Sequence, residues 1–361
     1  MFLTAYNLPH YLISTGIVTA DSVVDGDFAL AEVGRRNRNF KILRRKHPGI
    51  FFKQIKSVED QAIATLRREA AFYKAVRSNP RYAGIRELVP QFVSYDERRH
   101  ALAVDLINDA ESIAERHLKE GTYREDIARD LGRALGNIHE VGTALATDQA
   151  LSTLFTYQMP WPLLLDQIGY TFLDNMGAIG PALAGGIREL PVLQSLLSAL
   201  RPYWQYDSLI HGDMKWDNCM VRNSGAGTDH LTIVDWELAD IGDGAWDVAG
   251  IFKEYVMAVV VSAHNQETLA AQQQTASPIY LEQLRPSLCA FWQAYSESRR
   301  LPDAATYLDR AIRLTGARVV SAVLEYLYTS PQLGTLGARI LKTSVNILEA
   351  PQVAASQLGL R

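Results

Sequence analysis

Hydrophobic and polar positions change period partway along this chain, and the change divides it. From residue 28 to 56 the apolar residues alternate as in strands: FALAEV, a polar break at GRRNR, NFKILRR, a turn at Lys46-His47-Pro48-Gly49, then IFFKQI. A Pro-Gly turn between two such runs predicts a hairpin. Residues 58–78 switch to helical spacing, with Ala62, Leu66, Ala70 and Tyr73 recurring on one side and an end before Asn79-Pro80. QFVSY, the charged turn DERRH and ALAVDLI predict a second hairpin. From about Asn108 the pattern is helical, with candidate helices at 123–142, 162–174, 245–264, 278–298, 304–328 and 336–358. Only 209–236 is strand-like in that part. The Ala270-Ala271-Gln272-Gln273-Gln274 patch reads as a loop between helices. The expected fold is α+β and bilobal. Residues 1–107 would form an N-lobe with a small antiparallel sheet and one helix. Residues 108–361 would form a larger helical C-lobe.

Composition narrows the class without changing this picture. A chain of 361 residues with 48% hydrophobic and 21% charged content is ordinary for a globular enzyme with a substantial core. A formal net charge of -4 argues against a protein that coats nucleic acid. The longest apolar run, 256–263, is too short to span a bilayer, and MFLTAYNLPHYLIS lacks the basic start of a signal peptide. Cys219 and Cys289 lie far apart in apolar surroundings, so buried free thiols are expected. Together these point to a cytoplasmic enzyme with no nucleic-acid or membrane partner.

The chemistry concentrates in LIHGDMKWDNCMV, residues 209–221, and LTIVDWE, which closes on Asp235. Asp213, then Asn218 five residues on, then Asp235 after a strand, is the set that nucleotide-dependent phosphoryl transfer requires. One carboxylate takes the acceptor hydroxyl proton, while an amide and a second carboxylate hold magnesium on the phosphates. Asp213 is the candidate base, and its role is chiefly to orient the hydroxyl. Lys215 either places a point charge on the moving phosphoryl group or is a solvated loop lysine. Asn218 and Asp235 are the candidate metal ligands. Glu237 either assists a second metal or faces solvent, and solvent is the expectation. With no second histidine near it, His211 is read with Gly212 as shaping the loop.

The nucleotide would be held upstream. Alternation along FFKQIK turns Lys53 away from Phe52, toward a cleft, where a lysine needs a partner to keep its charge. Glu69 in the following helix is that partner, leaving Lys53 to grip the α- and β-phosphates. Gly34, Asn37 and Asn39, in and after the polar break, offer backbone N–H groups to phosphate oxygens. Asp105 and Ile107, in the connector Val104-Asp105-Leu106-Ile107-Asn108, would bond the base edge. The cofactors expected are ATP or another nucleoside triphosphate, and Mg2+.

HGDMKWDN followed by IVDWELADIGDGAWDVAG resembles the aminoglycoside phosphotransferase-like (APH, choline kinase-like) family. Its signature is an HGD loop ending in Asn, a strand ending in Asp-Trp, and a Trp-Asp helix start. LGRALGNIHEVG, residues 131–142, is similar to the family's helix before the catalytic loop. The resemblance spans roughly residues 28–255. It implies the bilobal, protein-kinase-like fold, a nucleoside triphosphate, magnesium and a hydroxyl acceptor, with 150–205 and 263–361 on the acceptor side and Asp247 tying the metal loop to the catalytic loop. The chain departs from the family in the arginines of its nucleotide loop, Arg35, Arg36 and Arg38.

Residues 263–361 carry seven acidic against nine basic side chains, which disfavours a polycationic aminoglycoside as acceptor. The expected acceptor is a small-molecule hydroxyl compound. The same resemblance allows Ser/Thr of a precursor peptide in natural-product biosynthesis. A nucleotide-binding pseudokinase would show damage at Lys53, Asp213, Asn218 or Asp235, and none is damaged.

Overall fold

The computed structural model describes residues 2–33, 37–146, 155–168, 173, 177, 179–223, 229–271 and 277–361. Their contacts divide the chain into two compact units. One comprises Met1–Gly121, Asp148–Phe155 and Asp217–Ala239, and the other Thr122–Thr147, Thr156–Trp216 and Asp240–Arg361.

The first unit is built on a five-stranded antiparallel sheet in the order β1 (Ala29–Glu32), β2 (Arg38–Leu43), β3 (Ile50–Gln54), β5 (Ala101–Asp105), β4 (Phe92–Asp96). Alternation puts Phe40, Ile42, Ile50, Phe52, Ala101 and Ala103 into one apolar cluster. Both expected hairpins form. The turn between β2 and β3 is held by Asp27, whose carboxylate accepts the Lys46 backbone N–H at 2.7 Å and lies 2.7 Å from His47 Nδ1. The N-terminal residues, read only for a leader, instead form two short helices, α1 (Leu8–Ser14) and α2 (Ala20–Val24). Leu8 and Leu12 join the sheet's apolar cluster with no exposed surface. Helices this short show little periodicity, and tertiary burial stabilises them. The helix α3 (Asp60–Ser78) follows the expected bounds closely and buries Leu66, Ala70 and Tyr73.

A second sheet in this unit, β6 (Ala110–Ser112), β8 (Cys219–Asn223) and β9 (Asp229–Ile233), runs in the order β6-β8-β9. Its register opposes Cys219 to Ile233. That register, with Val234 N–H donating to the Asn218 carbonyl at 2.9 Å, brings Asn218 and Asp235 to the same end of adjacent strands. The helix α4 (Ile113–Glu120) opens on a capping box, Ser112 and Glu115 each bonding the other's backbone N–H.

The second unit is helical around one short strand pair, β7 (Ser208–Ile210) with β10 (Asp240–Gly242). Strands were expected after Asn108 only at 209–236, so β6 and β10 are additions. Three-residue strands carry too few alternations to be read. The helices are α5 (Glu125–Ala146), α6 (Leu165–Ile168), α7 (Ile179–Arg188), α8 (Pro191–Ser198), α9 (Gly244–Ala271), α10 (Leu281–Ser298), α11 (Ala304–Thr329), α12 (Gly334–Glu349) and α13 (Pro351–Gln357). Close packing of α5 on α10 requires glycine: a Cβ on Gly132 would meet the Phe291 carbonyl oxygen at 2.3 Å. The single helix expected at 336–358 is two, because Pro351 has no N–H and its ring excludes helical backbone at Ala350, which sits at φ -135°. The helix α9 continues through Ala270 and Ala271, expected in a loop; Gln272, Gln273 and Gln274 lie outside the described residues.

The expected helix at 162–174 is described only as a 3-10 turn, Trp161–Leu164, and α6. Cys219 is a buried free thiol, whereas Cys289 is only half-buried and donates to the Gly359 carbonyl at 3.2 Å. No helix among the described residues is long and apolar enough to cross a membrane.

Candidate active site

The first unit contains a cavity of about 280 Å³ lined by Lys53, Glu69, Asn39, Asp105, Ile107, Asn218 and Asp235. Seven of the residues singled out from the sequence therefore share one space. Lys53 lies on the central strand β3, opposite Asn39 on β2 and Leu102 on β5. Its Nζ is 3.0 and 2.9 Å from the two carboxylate oxygens of Glu69 and is also paired with Asp235. Burial works against the Lys53 charge. The carboxylates of Glu69, Asp235 and Glu237 outweigh it and hold the ammonium's pKa above the ordinary lysine value.

The helix that carries Glu69 is docked one turn on, through Phe72. Phe72 stacks on Trp236 with ring centroids 4.3 Å apart, and Trp236 Nε1 donates to the Ile233 carbonyl at 2.9 Å. This couples α3 to the turn that carries Asp235, since residues i and i+3 share a helix face. Asp235 itself takes a left-handed backbone, φ 68°, which aspartate tolerates better than most residues.

Glu237 corrects the sequence reading. It turns inward rather than to solvent, with its carboxylate 3.9 Å from Lys53 Nζ and accepting from Asn37 Nδ2 at 3.1 Å. One carboxylate oxygen each of Glu69, Asp235 and Glu237 lie within 4.8 Å of one another. The same carboxylates surround Lys53 Nζ; as hard oxygen donors they could hold a magnesium ion, and Asn218 lines the same cavity. Asn37 lines not this cavity but a separate one with Glu237. Gly34, Arg35 and Arg36 lie outside the described residues. Lining residues that the sequence did not single out for the site include Lys41, a second cation, and the apolar Met220 and Val234. Lys41 could have been found, since it sits at period two from Asn39 on the same strand.

The chain passes from the second unit to the first between Trp216 and Asp217, so Asp213 and Lys215 belong to the second. There, Gly212 adopts φ 81°, the left-handed turn that glycine accepts without strain. His211 Nδ1 accepts the Asp213 backbone N–H at 3.2 Å, as expected of a loop-shaping histidine. Asp247 Oδ2 accepts from His211 N–H at 2.6 Å, and Oδ1 from Gly212 N–H at 3.0 Å. His139 Nε2 lies 3.1 Å from the same carboxylate, and its Nδ1 lies 2.9 Å from the Tyr295 hydroxyl. His139 falls within LGRALGNIHEVG, yet nothing in the spacing singled it out.

The Asp213 carboxylate accepts from Lys215 Nζ at 2.6 Å and lies 3.6 Å from Arg318 Nη2. Burial alone would raise this carboxyl. The charges of Arg318 and Lys215 outweigh it and hold the pKa below the usual carboxylate value. Arg318 is more than one hundred residues from Asp213 in sequence and carries no motif, so only folding could reveal it.

The family model described as the phosphotransferase enzyme family, APH, matches residues 27–286. An ethanolamine kinase of Plasmodium vivax has a similar fold, with a TM-score of 0.58 and 12% identity, covering 97% of this chain and 89% of that one. A choline kinase of Cryptosporidium parvum Iowa II gives 0.57 and 12% identity over 98% and 97%. The GDP complex of wild-type aminoglycoside 2'-phosphotransferase-IIIa gives 0.56 and 15% over 98% and 99%. Identities this low speak for the fold alone, and the fold is α+β and kinase-like, as the sequence pattern predicts. Among curated proteins, none matches the chain by sequence.

Proposed function

The chain belongs to the APH phosphotransferase enzyme family, and from that premise we propose that it moves the γ-phosphoryl group of ATP, or another nucleoside triphosphate, to a hydroxyl of a small molecule. The observation that carries this reading is the Lys53 ammonium, buried among Glu69, Asp235 and Glu237 in a cavity that also holds Asn218. A charge so placed has a use when phosphate oxygens enter and share it.

Lys53 would grip the α- and β-phosphates, with Glu69 fixing its direction. Leu102, Val104 and Met220 give the base an apolar slot beside the backbone of Asp105 and Ile107. Asn218 and Asp235 would hold magnesium, with Glu237 near enough to contribute. Magnesium, when bound, neutralises charge on the phosphate oxygens. Asp213 would hold the acceptor hydroxyl and take its proton late in the transfer, with Lys215 placing a positive charge beside it. An open cavity of about 420 Å³ reaches the catalytic loop at Trp216 and is walled by Met257, Ala258, Val261 and Ile279 of the second unit, with Glu254 at its edge. Its volume favours a small acceptor, and Ser262, Asn265 and Ser277 in the same lining favour one with polar as well as apolar parts.

The related aminoglycoside phosphotransferase structure holds GDP, so both ATP and GTP belong in the test. Wild type and Asp213→Ala are incubated with magnesium, each nucleotide and a panel of hydroxyl metabolites and Ser/Thr peptides. The expected result is phosphate on a metabolite, lost by roughly 10²-fold or more in the variant, while nucleotide binding persists. Phosphate on peptides alone would overturn the choice of acceptor. Nucleotide binding with no transfer to any acceptor would make the protein a pseudokinase.

A further inference from the structure

Arg318 lies in the middle of α11 with only 4% of its surface exposed. Its guanidinium spans the catalytic loop: Nη1 donates to the Gly212 carbonyl at 3.2 Å and Nη2 to the Met214 carbonyl at 2.9 Å. Those carbonyls flank Asp213 in the chain, and Nη2 is 3.6 Å from Asp213 Oδ1. The guanidinium also sits over the Trp246 ring, 5.0 Å from its centroid, and Trp246 Nε1 donates to the same Gly212 carbonyl at 3.1 Å. Room for this contact comes from Gly250 on α9, where a Cβ would lie 3.1 Å from Arg318 Nη2 and 2.5 Å from the Met214 carbonyl oxygen. Burying a cation is costly unless its donors and charge are answered. Here two loop carbonyls take the Nη1 and Nη2 donors and the Asp213 carboxylate answers the charge, while the buried Nε has no partner among the described residues.

We propose that Arg318 is a positioning residue for phosphoryl transfer, fixing the two peptide carbonyls on either side of Asp213 and with them the aim of the Asp213 carboxylate. The guanidinium is the group for this work, because its planar fork reaches two acceptors at once whereas an ammonium holds a single point. Lysine at 318 would keep the charge and lose the span. Glutamine would lose both the charge and most of the donors. The cationic and titratable groups facing Asp213 are Arg318 from α11 and Lys215 and His211 from its own loop. The inference rests on the phosphotransfer reading above.

Arg318→Lys and Arg318→Gln are compared with wild type for thermal midpoint, nucleotide KM, kcat against pH, and amide exchange of the 212–214 segment. In Arg318→Lys, kcat is expected to fall roughly 10–100-fold with nucleotide KM within about twofold, and the acid limb of kcat to stay in place. In Arg318→Gln the same fall is expected with the acid limb moved to higher pH, since a positive neighbour of Asp213 is gone. Both variants should speed exchange at Asp213 and Met214. An Arg318→Lys enzyme with wild-type kcat and loop exchange overturns the proposal, as does a loss confined to the thermal midpoint. If wild type transfers phosphate to nothing, the reaction reading has failed and the catalytic role falls with it. The exchange measurement then still reports whether Arg318 holds the loop.

Discussion

Asp247 accepts the backbone N–H of His211 at 2.6 Å across 36 residues of sequence. With Gly212 N–H at 3.0 Å and His139 Nε2 at 3.1 Å, the buried carboxylate answers three donors. Burial opposes its charge. The His139 hydrogen bond leads the interactions that outweigh burial and hold its pKa below the ordinary carboxylate value.

Asp247→Asn should therefore be damaging although it is nearly isosteric. An amide group offers one accepting atom where the carboxylate offers two, and its NH2 would face a backbone N–H. Loss of about 3 kcal/mol of stability is expected, together with a fall in kcat as the loop at Asp213 loosens. Urea unfolding and steady-state kinetics on the same preparation check both. A variant as stable and active as wild type would remove Asp247 from the clamp role.

Lys53→Met should leave Glu69, Asp235 and Glu237 without their shared cation. Stability is expected to drop by about 3–5 kcal/mol, because breaking a buried pair strands the remaining charge, and kcat/KM by roughly 10²–10³-fold. The double variant Lys53→Met/Glu69→Met should regain only part of the stability, since Asp235 and Glu237 still lack that cation, and none of the activity. Denaturation midpoints across the cycle separate the two effects.

Asp235→Asn tests the metal site without disturbing the backbone, since asparagine also accepts the left-handed conformation found there, φ 68°. Stability should stay within about 1 kcal/mol of wild type, while turnover falls roughly 10²-fold or more at any magnesium concentration. Chelation with EDTA should abolish wild-type turnover, and added magnesium should restore it. Turnover that persists in EDTA would exclude a magnesium role for Asp235 and Asn218.

The pH dependence follows from Asp213. Its carboxyl is held below the ordinary aspartate value in the folded protein. A depressed carboxyl keeps its charge as pH falls and gives it up only below the ordinary carboxylate range. As far as Asp213 decides it, kcat should be flat between about pH 5 and 7. A fall in kcat centred near pH 6, absent from the KM of nucleotide, would show that Asp213 is not so held.

Much of the site was legible because its residues answer local rules. Alternation along β3 was enough to place Lys53 on the opposite side from Phe52, and a helical period put Glu69 within its reach. The spacing of Asp213, Asn218 and Asp235 reflects one loop and one strand pair. Glu237 was read outward because two residues beyond Asp235 the strand period gives no direction: the chain there is a 3-10 turn, Trp236–Leu238, which rotates Glu237 toward Lys53. The N-terminal helices escaped notice because seven and five residues are too few to show a period.

By itself the sequence determined the sheet, the long helices and the chemical groups of the candidate site, because side-chain alternation, helical period and motif spacing act over a few residues at a time. Tertiary structure decided which distant groups close around them. Asp247 on the catalytic loop, Phe72 against Trp236, Gly250 making room, and Arg318 at the carbonyls beside Asp213 are all meetings between separate elements. Such meetings depend on burial and shape complementarity among elements, and no local pattern of residues encodes them.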